Sequence, residues 1–159
     1  MADDSVEREI VIEASPEIVW AVLTEPQHIS RWFSDEADVE GRVGADGTLI
    51  WKPGGRGGDK DVDAIVPIRV VHAEPFRRFS FRWNHPEGAT PDQDNSALVE
   101  FTLTEEPNGT RLRVVESGIE AVTDEQSRAG YLEGHTRGWE KHLGELLDYV
   151  AARASGAAR

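Results

Sequence analysis

TDEQSRAGYLEGHTRGWEKHLGELLDYV, residues 123–150, carries the longest periodic apolar pattern of the chain. Leu132, His135, Trp139, Leu143, Leu146 and Val150 recur at spacings of three and four, which is one buried face of a long helix. Thr123-x-x-Gln126 reads as a capping box that opens it, and the helix is expected to run to about Ala154. The tail from Ala151 to Arg159 is small and polar and is expected to fray. A helix of this length needs a broad apolar surface to lie against, so the chain upstream must supply a sheet.

The upstream patterns do supply it. Val6, Arg8, Ile10 and Ile12 alternate with Glu7, Glu9, Val11 and Glu13, a strand with one wet face. Ser15-Pro16-Glu17 opens a short helix with a capping serine, a proline in the first turn and an acid at the positive end of the dipole. Glu25-Pro26 restarts the chain into a second short helix that carries Ile29, Trp32 and Phe33. Strands are then expected near Ala37–Glu40, over Thr48–Lys52, through Val62–Val71, around Phe79, Phe81 and Trp83, over Leu98–Thr104, and over Leu112–Glu116. Pro107-Asn108-Gly109-Thr110 carries an Asn-Gly hairpin signal. Residues 53–60, Pro-Gly-Gly-Arg-Gly-Gly-Asp-Lys, read as a mobile hairpin tip; a phosphate-cradling loop would require a Gly-Lys-Ser/Thr that is absent. The expectation is an α+β helix-grip fold: a curved antiparallel sheet of about six or seven strands, with two short helices after the first strand, wrapped around the long C-terminal helix. The whole chain, residues 1–159, reads as one domain with its core in about 6–152.

Composition narrows the function classes. Hydrophobic residues make up 38% and charged residues 30%, a globular balance, and no apolar run reaches the ~20 residues of a membrane span. The formal net charge of −13 argues against nucleic acid and anionic membranes as partners. Without a secretory signal pattern or any cysteine, a cytoplasmic location is expected, and disulfides and thiolate chemistry are excluded. The five histidines are scattered and no metal site or cofactor is expected.

The stretch from Ile12 to Pro26, with Arg31-Trp32-Phe33 after it, resembles the opening of the SRPBCC superfamily, also called START or Bet v 1-like. Within it, Glu74 to Trp83, Asn108 to Val114 and Gly138-Trp139-x-x-x-Leu143-x-x-Leu146 are similar to the branch named for the C-terminal domain of the activator of Hsp90 ATPase. The resemblance covers nearly the whole chain in order. It implies a helix-grip fold whose cavity, between sheet and long helix, takes lipids, polyketides or other hydrophobic small molecules. Many relatives carry a histidine where this chain has Glu116, so a histidine-based role at that position is not transferred. Eukaryotic activators owe much of their chaperone contact to a separate N-terminal domain, which this chain lacks room for, so a chaperone partner is not expected. A homodimer through an exposed sheet edge is an open expectation.

The candidate ligand-binding residues are Trp32, Trp51, Phe81, Trp83, Phe101, Glu116, Tyr131, Gly134, His135 and Trp139. Each aromatic is either core packing or pocket wall, and together on this scaffold they fit a largely apolar pocket. Gly130, Gly134 and Gly138 form a stripe with three readings: tight packing of the helix on the sheet, a tolerated exposed stripe, or room left for a ligand. Glu116 shares the phase of Leu112 and Val114, which turns it inward, where a carboxylate needs partners; His135, Tyr131 and Arg82 are the candidates. Glu116, His135 and Tyr131 are also the candidate catalytic residues of an alternative reading, a cyclase or dehydrase using general acid–base chemistry. Against it stand a structural pair or a wet cavity mouth, and no catalytic motif is present.

Overall fold

The computed structural model describes residues 5–55, 61–86 and 88–157, with side chains as far as Arg153. The expected mobile tip therefore lies largely outside the described residues, at 56–60. The elements follow in the order β1 (Val6–Ile12), α1 (Pro16–Thr24), α2 (Pro26–Trp32), β2 (Glu36–Asp38), β3 (Asp46–Trp51), β4 (Ala64–Glu74), β5 (Arg78–Trp83), β6 (Ala97–Glu106), β7 (Gly109–Ser117) and α3 (Glu125–Ala157). A single 3₁₀ turn at Ile119–Ala121 links β7 to α3.

Local chemistry explains the joints. Ser15 Oγ accepts from the Ile18 amide at 3.4 Å and caps α1, with Pro16 in the first turn. Glu25 is extended (φ −91°, ψ 128°) because Pro26 follows it, and this separates α1 from α2. The opening of α3 differs from the capping-box expectation. Asp124, not Thr123, is the cap: its Oδ1 accepts from the Ser127 amide at 2.8 Å and the Ser127 hydroxyl at 2.7 Å. Thr123 turns back and donates to the Ile119 carbonyl at 2.8 Å. A carboxylate also meets the helix dipole better than a hydroxyl does.

The seven strands form one antiparallel sheet in the order β1-β7-β6-β5-β4-β3-β2. From β2 to β7 it is the expected meander, while the α1–α2 segment carries the chain from β1, at one edge beside β7, to β2 at the other edge. The β6–β7 turn holds Pro107 and Asn108, one residue earlier than the Asn-Gly signal suggests, because Glu106 pairs with Gly109. Gly109 is needed for close approach instead: a Cβ there would lie 2.1 Å from the Ile12 carbonyl oxygen.

One sheet face is apolar. Ala97, Val99, Phe101 and Leu103 on β6, and Leu112 and Val114 on β7, are buried along it. The N-terminal helices cover one half of this face, and Trp139, Leu143, Leu146 and Val150 of α3 cover the other. At 33 residues, α3 is roughly 50 Å long. Among the described residues, no helix is long and apolar enough to cross a membrane.

Candidate functional site

Alternation along β7 places Glu116 on the inward face after Leu112 and Val114, and its exposure is 0%. A buried carboxylate is tolerated only when hydrogen bonds replace water. Four donors do so. Oε1 accepts from His135 Nδ1 at 2.7 Å and Trp139 Nε1 at 3.0 Å, and Oε2 accepts from Tyr131 Oη at 2.6 Å and Trp83 Nε1 at 3.0 Å. Three of these donors stand at i, i+4 and i+8 on α3, so one helix face delivers them turn by turn. The fourth comes from the end of β5, two strands away from β7 in the sheet. Asn84 extends the network by donating through Nδ2 to Tyr131 Oη at 2.8 Å.

Burial pushes the Glu116 carboxyl upward, but its donors outweigh burial, His135 foremost, and hold it below the ordinary carboxylate range. The Tyr131 phenol is driven far up by burial and by the adjacent Glu116 charge, so its proton stays in place. An ionised carboxylate can only accept, so His135 Nδ1 carries a hydrogen. That leaves Nε2 as the remaining hydrogen-bonding atom of a ring that stacks on Tyr131 with centroids 3.8 Å apart.

Above this network lies an open cleft of about 330 Å³. The sheet side contributes Trp51, Ala64, Val66, Trp83 and Asn84; Phe33 comes from the end of α2; α3 contributes Gly134, His135, Gly138, Trp139 and His142. A Cβ added at Gly130, Gly134 or Gly138 would meet nothing within 4 Å, which overturns the tight-packing reading of the stripe. Gly134 and Gly138 border the cleft, and the missing side chains are part of why it is open.

The structure thus brings Trp51, Trp83, Gly134, His135 and Trp139 to the cleft, with Glu116 and Tyr131 directly behind it. Trp32, Phe81 and Phe101 lie elsewhere. They surround a void of only about 10 Å³ beneath α1 and α2, and Trp32 Nε1 donates to the Val22 carbonyl at 2.9 Å. Arg82 is no partner of Glu116: the pleat turns it outward, where it reaches the Asp92 carbonyl at 3.4 Å. Phe33, Ala64, Val66, Asn84 and His142 complete the lining without having been assigned to it from sequence. Asn84 had one usable signal, as an asparagine closing a strand where the backbone turns to φ 62°. Among the described residues, no three His, Cys, Asp or Glu side chains stand together as a metal site would require.

A protein-family model described as activator of Hsp90 ATPase homolog 1-like protein matches residues 13–151. The chain belongs to this family. Its sheet, long helix and α1–α2 pair are those expected of the SRPBCC branch. Protein MLL2253 from Mesorhizobium loti has a similar structure, with TM-score 0.71 and 26% identity over 94% of this chain and 97% of that one. DynU16, described as a putative protein in the dynemicin biosynthetic locus, gives TM-score 0.68 and 27% identity over 94% of this chain; the match spans 48% of DynU16. The Aha1 dimer from Colwellia psychrerythraea shares the fold, with TM-score 0.68 at 20% identity over 92% of this chain and 95% of that one. No curated protein matches the chain in sequence.

Proposed function

We propose that this family member binds a small, largely hydrophobic ligand, lipid- or polyketide-like, in the cleft between the sheet and α3. The observation that carries the reading is the pairing of an aromatic wall with empty space at Gly134 and Gly138. A helix selected only for stability would fill those positions, since each glycine costs about 1 kcal/mol against alanine. The likeness to a protein of a biosynthetic locus agrees with a ligand drawn from small-molecule biosynthesis. Native mass spectrometry of protein purified under non-denaturing conditions tests this. A bound small molecule released on denaturation is expected, and a homogeneous ligand-free protein that also ignores apolar probes would contradict it.

The Glu116–His135 pair supports a second reading, in which His135 Nε2 exchanges a proton with the ligand while Glu116 fixes the tautomer and Tyr131 stacks on the ring. Glu116 itself, saturated by four donors, is a positioning group in that reading. Equal ligand turnover by wild type, Glu116→Gln and His135→Ala would eliminate it. A homodimer, by likeness to the dimeric Aha1 structure, belongs to the same proposal and is tested by light scattering; chaperone binding does not, and a pull-down is expected to retain no Hsp90.

A further inference from the structure

The four hydrogen bonds on Glu116 fix which way protons point across the network, and so what one spot on the cleft wall can bind. An indole N–H only donates, and Trp83 and Trp139 give Glu116 one apiece, one on each carboxyl oxygen. Tyr131 adds a further bond on Oε2. His135 Nδ1 meets Oε1 at 2.7 Å, and an accept-only carboxylate at that distance requires a hydrogen on the nitrogen. In a neutral imidazole, a hydrogen on Nδ1 leaves Nε2 as a bare lone pair. The carboxylate behind the wall thus makes the wall itself an acceptor.

The ring is held in that orientation. It stacks on Tyr131 with centroids 3.8 Å apart at 11°, and Trp83 meets it edge-on at 5.9 Å and 89°. Nε2 is also reachable. The His135 side chain is 28% exposed beside a Glu116 side chain at 0%, so the open edge of the ring is the one turned away from Nδ1. Among the described residues, none bonds Nε2. Gly134 and Gly138 leave open space beside His135 on the same helix, and Phe33, Ala64 and Val66 give the cleft an apolar wall.

We propose that the ligand is a phenol, whose hydroxyl donates to His135 Nε2 while its apolar body fills the space beside Gly134 and Gly138. This rests on the ligand-binding reading above and names the chemical class of that ligand. A phenol suits the spot better than an aliphatic alcohol does. Its pKa of about 10 makes its hydroxyl the stronger donor, and its flat ring packs against aromatic side chains such as Trp51 and Phe33. It binds as the neutral phenol, because a phenolate would set an anion on a lone pair with the Glu116 charge behind it. An ether or ketone of the same shape brings Nε2 only a second acceptor, and a hydrocarbon brings it nothing.

The test is a chemical-shift titration of the protein by proton–nitrogen NMR at pH 8, where the phenol keeps its proton. The probes are 4-ethylphenol, 4-ethyltoluene, in which a methyl takes the place of the hydroxyl, and 4-ethylanisole, which keeps the oxygen but cannot donate. The phenol is expected to bind about tenfold tighter than either of the others. His135→Ala should abolish that preference. If the variant does not fold, the wild-type imidazole reads the same point: its long-range proton–nitrogen spectrum should show the tautomer with hydrogen on Nδ1, and the Nε2 resonance should move on adding 4-ethylphenol but not 4-ethyltoluene. Binding of the phenol no tighter than of the toluene or the anisole, a hydroxyl preference that survives His135→Ala, or a hydrogen on Nε2 overturns the phenol assignment and leaves the ligand-binding reading intact. Absence of binding by all three probes overturns the assignment and counts against the ligand-binding reading as well.

Discussion

Glu116→Gln changes one atom of the buried network, and its cost can be worked from the hydrogen bonds. The amide offers one acceptor oxygen and one NH₂ where the carboxylate offered two acceptors. If the NH₂ replaces Oε2, it faces the Tyr131 hydroxyl and the Trp83 indole N–H. The tyrosine can rotate its hydrogen away and accept; the indole cannot. If it replaces Oε1, it faces His135 and Trp139. The imidazole can change tautomer; the indole again cannot. Either way one indole N–H, on a tryptophan only 7% or 2% exposed, loses its acceptor. That costs about 1–3 kcal/mol, and the surviving bonds lose their charge assistance. Relief of the buried charge offsets part of this, leaving a net loss of about 2 kcal/mol. Urea unfolding at pH 7 reads it directly, and the corresponding fall in Tm is about 4–8 °C for a chain of this size. A variant within about 0.5 kcal/mol of wild type, or more stable, would refute the claim that four donors hold an ionised Glu116.

Other consequences follow from the same geometry. Because the Glu116 carboxyl is held below its ordinary value, its stabilising contribution is fully present above the unfolded pKa of about 4.3 and is lost as pH falls through the depressed folded value; urea midpoints between pH 7 and pH 3 should fall more steeply for wild type than for Glu116→Gln. Tyr131→Phe removes a charge-assisted bond to the buried Glu116 and returns the exposed Asn84 Nδ2 to water, so a loss of about 1–3 kcal/mol is expected in the same assay. Gly109→Ala pushes a methyl against the Ile12 carbonyl and should cost about 1–3 kcal/mol, although Gly109 lies in a hairpin far from the cleft.

The fold was legible because its main signals are periodic. Alternation in β1, β5, β6 and β7 and the three-four spacing of α3 each appear where the residues require them. The boundaries that moved did so for local reasons: Asp124 outcompetes Thr123 as a cap, and Gly109 already pairs with Glu106, so the strand starts there. The inward phase of Glu116 was readable from Leu112 and Val114, and two of its four donors, His135 and Tyr131, were among its candidate partners. The indole donors were not, because Trp83 and Trp139 read as apolar mass until the fold turns both N–H groups toward one carboxylate. Trp32, Phe81 and Phe101 are indistinguishable in pattern from cleft residues; only the placement of α1 and α2 over that half of the sheet makes them core. Ala64 and Val66 reach the cleft through strand pairing across the sheet, which no local pattern encodes.

The central claim is that the space left by Gly134 and Gly138 is where the ligand sits. Filling it with Gly134→Leu and Gly138→Leu together, and comparing apolar-probe binding and unfolding stability with wild type, tests this most directly. Both positions are helical, so leucine raises helix propensity by roughly 0.8–1 kcal/mol at each, and nothing within 4 Å opposes a new Cβ. The account predicts stability equal to or above wild type with binding lost by tenfold or more. A double variant that folds as well as wild type and binds the same ligand with the same affinity would contradict it.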